Sequence, residues 1–314
     1  MKNLCNLQII TTMRLRNNGF TLIELMLGLA ISVILLLSLS FTFVTTSRSA
    51  QKTQAIQELQ ATALYASKYL AQHIRQAGYT GETVRSSQLT GTAAPTKHYN
   101  CNSADWIRQI DRPLTGTNQN QTSYPCLQEG TNIQKPGTDT LTVRYSSMLP
   151  VTKYSKDYLY TRSALSTVVL FAGKDRNKIT NKINGPFVDR KFHSHTFYIT
   201  QSKRQWCSTT RAPALALMTG SSTGKLRRTL VIAGIEQIQL QYSNNSSEYI
   251  NADKVSDWTK ITNVKVWIVI RSLCHYFRKA QAQQFSYADI QSHFKDRFKR
   301  KLFSFSIALR NRLN

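Results

Sequence analysis

Between Leu25 and Val44 the chain runs for twenty residues without a charged side chain, and directly before that run stands a carboxylate, Glu24. At about 1.5 Å per residue, a helix of that length crosses the roughly 30 Å hydrocarbon core of a bilayer. The segment therefore reads as a membrane helix. A secretory signal peptide has an apolar region of only about 7–15 residues and then a small-x-small cleavage site. Here the run is longer, and only weak sites such as Ser47-Arg48-Ser49 follow it. Arg14 and Arg16 lie upstream, and no Asp or Glu precedes Glu24. The positive-inside rule then leaves the N-terminus in the cytoplasm and sends everything after Val44 outward, so the remainder is expected to be periplasmic or extracellular.

Glu24 needs a reason to be where it is. A carboxylate at mid-bilayer costs on the order of 2.5–3.5 kcal/mol, and less near an interface. Two explanations are open: it snorkels from the helix end to the headgroups, or it awaits a cation inside the membrane, such as the amino terminus of a neighbouring copy cut at Gly19. A low dielectric strengthens an ammonium–carboxylate attraction, which offsets desolvation only when the pair is well formed.

The segment Gly19-Phe20-Thr21-Leu22-Ile23-Glu24-Leu25-Met26, with Arg14 and Arg16 before it and the apolar run after it, resembles the processing site of type IV prepilins and type II secretion pseudopilins. The resemblance implies that a dedicated membrane aspartic peptidase, the prepilin peptidase, cleaves after Gly19 and methylates the new amine of Phe20. It also implies that Glu24 is the acid that docks the subunit into a growing filament. Residues 1–19 would then be a leader, with Met13 as a second possible start; both versions lose the same segment at Gly19.

Past the membrane run, Ile56, Leu59, Ala63, Ala66, Leu70, Ile74 and Ala77 recur every three or four residues, while Gln, Lys and Ser fill the other face. This is an amphipathic helix stripe. Gly78 is a natural stop, and no Pro occurs before Pro95. The helix is expected over residues 20–77, about 58 residues and roughly 87 Å. Its end, Arg75-Gln76-Ala77-Gly78-Tyr79, resembles that of PilW-type minor pilins, as do Thr138 to Tyr145, Val231 to Tyr242 and Ala308 to Arg312.

Residues 78–314 read as a β-rich head. Leu141, Val143 and Tyr145 alternate after a Pro136-Gly137 turn, and short apolar or alternating runs follow at 168–171, 196–200, 238–242, 264–270 and 302–308. The fold class expected is α+β and type IV pilin-like, a long helix packed on a mainly antiparallel sheet. Stretches 116–122 and 243–257 are polar enough to be surface loops, with no need for a second hydrophobic core.

Four cysteines remain after processing: Cys101, Cys126, Cys207 and Cys274. In an oxidising compartment they invite disulfides, and four cysteines allow three connectivities. Cys101 with Cys126 is the pair favoured here, closing a loop worth on the order of 3 kcal/mol; free buried thiols are the alternative. His193-Ser194-His195 puts two imidazoles on one strand face, with no ligand set nearby to complete a metal shell. Gly220 to Lys225 imitates a phosphate loop, but its glycines are one residue too close, and it reads as a turn. Neither a cofactor nor a catalytic constellation is expected.

The 41 Lys and Arg against 16 Asp and Glu give a net charge of +25, beyond what solubility requires, which points toward an anionic partner. Eight of those cations lie between Arg271 and Lys301, interleaved with Tyr276, Phe277, Phe294 and Phe298. Arg297, Lys299, Arg300 and Lys301 form a candidate anion-binding set for DNA or lipopolysaccharide; equally, the aromatics are core and the charges a solvated face. The function expected is that of a minor pilin which primes or caps a type IV pilus. Its partners would be the peptidase, other minor pilins, the major pilin and the inner-membrane assembly platform. A J-type pseudopilin of type II secretion and a pilus-borne DNA- or glycan-binding adhesin are the alternatives.

Overall fold

The structure, a computed structural model, describes residues 19–81, 89–91, 93, 101, 104–119, 124–127, 133–164, 167–179, 186–207, 210–244 and 247–312. Cys5, Met13, Arg14 and Arg16 lie outside the described residues. The chain forms two compact units, one ending at Gln54 and one running from Ala55. A single helix, α1 (Leu22–Arg75), contributes to both.

In the first unit every described side chain from Gly19 to Thr46 is exposed, large apolar ones included. The helix is long and apolar enough to cross a membrane. Its hydroxyls bond within the helix: Ser32 Oγ donates to the Gly28 carbonyl at 2.7 Å and Thr42 Oγ1 to the Ser38 carbonyl at 2.9 Å. In hydrocarbon, where no water replaces a missing partner, that self-satisfaction is what lets a hydroxyl sit in an apolar helix.

The second unit begins where the apolar stripe of α1 begins. Leu59, Ala63, Ala66, Leu70 and Ile74 are buried, and their three- and four-residue spacing keeps them on one face. The helix ends at Arg75, and Gly78, at φ 78°, turns the chain in the left-handed region that a side chain resists.

Beyond α1 come β1 (Leu89–Thr90), a short helix α2 (Ala104–Arg108), β2 (Leu114–Thr117), β3 (Thr140–Pro150), β4 (Leu159–Ser163), β5 (Val168–Ala172), β6 (Val188–Trp206) and β7 (Thr210–Gly220). They are followed by β8 (Leu226–Ala233), β9 (Ile235–Ser243), β10 (Ile250–Asn251), β11 (Asn263–Arg271), β12 (Gln281–Tyr287), β13 (Ile290–Asp296) and β14 (Arg300–Ala308). The larger sheet has the order β1-β5-β4-β6-β3-β2, with β7 pairing β6 and β8 pairing β7. A second sheet has the order β10-β9-β11-β14, and β12 and β13 form a separate ribbon. Among the described pairings only β1 with β5 is parallel. The architecture is α+β, a long helix followed by a mostly antiparallel head.

Strand β6 organises the larger sheet. Its first residues pair with β4, Phe192 to Phe197 pair with β3, and His195 onward pairs with β7. Alternation along it divides the interior: Phe197 and Ile199 join the cluster around α1, whereas Tyr198 joins a different one. The α1 cluster takes Leu141 and Val143 from β3 and Val264, Val266 and Ile268 from β11, so both sheets share one core with the helix.

The opposite face of the larger sheet carries a second cluster, with Tyr198, Ala216 and Met218 under Trp106, Ile107 and the Cys101–Cys126 disulfide. This corrects the single-core expectation. Fully buried Arg144 of β3 fixes that layer by donating to the Arg112 and Trp106 carbonyls at 2.8 Å each. The stretches read as surface loops are also partly structural, since β2 and β10 fall within or across them.

Leu70 is fully buried, whereas Leu64, on the other face of the same helix, is 56% exposed. Leu70→Ala should lower the unfolding free energy of the full-length protein in nonionic detergent by about 2–5 kcal/mol. Leu64→Ala should stay within about 0.5 kcal/mol. Denaturant midpoints read both.

Candidate functional site

At the N-terminal end, Gly19 and Phe20 are exposed, Phe20 by 86%. A Cβ built on Gly19 meets nothing within 4 Å, and its φ lies outside the left-handed region. Neither space nor backbone conformation therefore asks for glycine there.

Two residues on, Thr21 and Glu24 close a reciprocal cap. Thr21 donates from its backbone N–H and from its hydroxyl to Glu24 Oε2, each at 3.0 Å, and the Glu24 N–H donates to Thr21 Oγ1 at 3.3 Å. This is a capping box, in which a carboxylate at the third helical position satisfies the backbone donor at the cap. Of the two sequence readings of Glu24, neither included this bond. The Thr-x-x-Glu spacing ahead of an apolar run was the signal for it. The carboxylate is thus folded onto its own helix start, where it also complements the helix dipole.

The cysteines form two bonds, Cys101 with Cys126 and Cys207 with Cys274, with Cα atoms 5.8 Å and 5.6 Å apart. The second bond staples the turn between β6 and β7 to the segment after β11, across a sequence separation of 67. Near that crosslink Arg271 lies beside Arg211.

The four candidate anion-binding residues separate in space. Arg300 is only 3% exposed. Its Nε meets Glu236 Oε2 at 2.5 Å, while its two terminal nitrogens grip Asp296 at 2.7 and 2.6 Å. A guanidinium in a bidentate pair of this kind has no free edge for a ligand, so Arg300 leaves the candidate set. It also holds the Asp296 carboxyl below its ordinary pKa. Lys301, the next residue on β14, turns its ammonium over the Phe303 ring at 5.3 Å. Arg297 and Lys299 stay together: the Arg297 carbonyl accepts from the N–H groups of Tyr276 and Phe277, and Lys299 exchanges bonds with Ser272.

His193 and His195 share one face of β6, and the structure adds a third imidazole that sequence spacing could not reveal. His73 of α1 meets the Tyr145 hydroxyl through Nδ1 at 2.6 Å, and His195 Nδ1 lies 3.3 Å from the same oxygen. Ring centroids of His73 and His195 are 5.0 Å apart, and those of His193 and His195 are 5.1 Å apart. Among the described residues no three such groups are arranged to hold a metal ion. Burial, followed by nearby cations, pushes His193 down to about 4 and His195 down to about 2.

Two family descriptions match the chain at its two ends. The prokaryotic N-terminal methylation motif matches residues 14–40, and Type IV Pilus-assembly protein W matches residues 196–311. At both ends, over less than half of its length, the chain is thus similar to PilW-type type IV pilins. No curated protein and no solved structure matches it. Pilins are structural proteins rather than enzymes, and a pilus-assembly pilin works with other pilins and with the assembly machinery. The apolar part of α1 anchors this one in a membrane. The matched 196–311 region runs from mid-β6 past β14, and so includes the Cys207–Cys274 staple.

Two measurements test this geometry. An unfolded imidazole takes up a proton below about pH 6.5, whereas the fold refuses it at His193 until about pH 4 and at His195 until lower still. The stability these imidazoles contribute is therefore fully present above pH 6.5 and drains as pH falls toward 4, by up to about 1.4 kcal/mol per pH unit for each, while the Asp139 carboxyl, pushed up to about 7 by burial, works in the opposite direction over the same range. Denaturant titrations between pH 7 and 4.5 should show the fall, and His193→Gln should make it shallower by one imidazole's share, leaving those of His195 and of His73, which burial also pushes down to about 4. Removing the Cys207–Cys274 bond by the double substitution to Ser should cost about 4 kcal/mol in the chain-entropy model, read as a drop in melting temperature.

Proposed function

We propose that this pilin is a minor subunit that is cut after Gly19 by a prepilin peptidase and methylated at Phe20. It then joins other minor pilins in a complex that primes or caps the filament. Before assembly it sits in the inner membrane with its head in the periplasm, in contact with the assembly platform; afterwards it is part of the pilus with the major pilin. It carries out no catalysis of its own.

The observation that carries this reading is the capping box. Glu24 is held by Thr21, the residue that follows the terminus which cleavage after Gly19 creates. In lipid the cap keeps the carboxylate hydrogen-bonded until a neighbour's methylated amine, with a full positive charge, competes for it. An ionic partner at low dielectric displaces two hydroxyl- and amide-type bonds only when geometry is good, so a misplaced subunit gains nothing. Exposed Gly19, with no packing reason to be glycine, supports recognition by a protease.

N-terminal mass spectrometry of the protein from its native host should find a methylated Phe20; any other terminus removes the basis of this reading. Glu24→Gln, which keeps the volume and loses the charge, should cut the amount of this pilin in sheared filaments at least tenfold while leaving cleavage intact. Normal incorporation would refute the ionic docking role.

A further inference from the structure

The basic segment after β11 gains its meaning from what surrounds it. The two carboxylates nearest to it, Glu236 and Asp296, are both taken by buried Arg300, and Lys135 Nζ adds a second cation 3.5 Å from Glu236. Two negative and two positive charges thus cancel one another, with Arg300 and Glu236 buried and Lys135 and Asp296 half-buried. Outside that group, Arg278, Lys279 and Arg297 are exposed, Lys299 is half-buried, and the Cys207–Cys274 staple adds exposed Arg211. The Arg211 carbonyl accepts from Arg271 at 3.3 Å. Among the described residues none of Arg211, Arg278, Lys279, Arg297 and Lys299 has a carboxylate within ion-pair distance.

Five cations without an ion-paired carboxylate among the described residues lie on segments that are tied together by a disulfide and by backbone bonds from Tyr276 and Phe277 to the Arg297 carbonyl at 2.8 and 2.9 Å. Among them stand two half-exposed rings. Tyr276 and Phe277 meet edge to face, with centroids 4.9 Å apart, and the Lys299 ammonium lies 5.8 Å from the Phe277 centroid. A solvated basic face has no use for aromatic rings at its centre. A polymer alternating phosphate and flat base has use for both, because phosphates neutralise the cations while bases stack on the rings.

We propose that this disulfide-stapled loop is a binding site for single-stranded nucleic acid, with phosphates on Arg211, Arg278, Lys279, Arg297 and Lys299 and a base against Tyr276 or Phe277. The pilin reading bears only on where the protein would meet such a polymer, so the test is made on purified protein and can fail independently of it.

The full-length protein in nonionic detergent is titrated into a fluorescent 20-nucleotide DNA strand of mixed sequence, with anisotropy read at several salt concentrations. Binding should be tighter for the single strand than for its duplex and should weaken steeply with salt. Arg297→Gln/Lys299→Gln should raise Kd about tenfold and reduce the slope of log K against log salt by about 0.7 for each phosphate-neutralising cation removed. Tyr276→Ala/Phe277→Ala should raise Kd by about 5-fold or more. Lys225→Gln/Arg227→Gln, at the end of the β7–β8 turn and the start of β8, should change little; an equal weakening there would show bulk charge at work and overturn the site. Weakening by the charge variants but none by the ring variants would point to an anion such as the phosphates of lipopolysaccharide, and would overturn the nucleic-acid assignment. If Arg297→Gln/Lys299→Gln fails to fold, Arg278→Gln/Lys279→Gln, at two exposed positions, carries the same expectation.

Discussion

Burial of one helix stripe beneath two sheets at once is the contact on which the head depends. Leu59, Leu70 and Ile74 supply apolar area, while Ala63 and Ala66 between them keep the helix surface low. Strands from β3 and from β11 can both approach it, because small residues let backbones come close. Each fully buried Leu or Ile stabilises by about 1.5–3 kcal/mol relative to exposure, and these side chains touch residues brought from opposite ends of the chain. Without the stripe the two sheets would have no common core. Among the described residues, the apolar side chains of the same helix before Val44 are exposed; lipid or other subunits are the surroundings that suit them.

Charge is handled in a comparable way. A chain with a net charge of +25 has few carboxylates to place, and Glu236 and Asp296 are placed against a buried guanidinium instead of along the surface. The cost of desolvating three ionised groups is offset by close geometry, with a bidentate fork on one side and a short bond on the other. The consequence is a surface around the Cys207–Cys274 staple whose cations are left facing outward. In the first unit the capping box does the equivalent for Glu24, giving a charge that hydrocarbon would not tolerate two donors of its own.

Local patterns were readable wherever they were periodic. The stripe from Ile56 to Ala77 announced its buried face, and the alternation of Val264, Val266, Ile268 and Ile270 announced β11. Strand β7 was harder, being rich in Ala and interrupted by Pro213, which sits beside a register shift in its pairing with β6. The ribbon β12–β13 was hidden because its sequence is mostly Gln, Ser and charge. Lys299-Arg300-Lys301 looked like a uniform basic run, yet Arg300 opens a strand, so neighbouring side chains diverge, and its partner Glu236 is 64 residues away. His73 and Tyr145 are 72 residues apart; no local period could have joined them. Long-range pairing of that kind is set by topology, which a linear pattern does not encode.

Strand β6 has one more implication. Its 19 residues are shared in turn by β4, β3 and β7, so a pull along it loads ladders on both of its sides together. Hydrogen bonds stressed in parallel must shear as a group, whereas those at a free end peel one after another. Shearing such a shared strand therefore breaks more bonds at once than peeling the edge strand β8, which pairs on one side only.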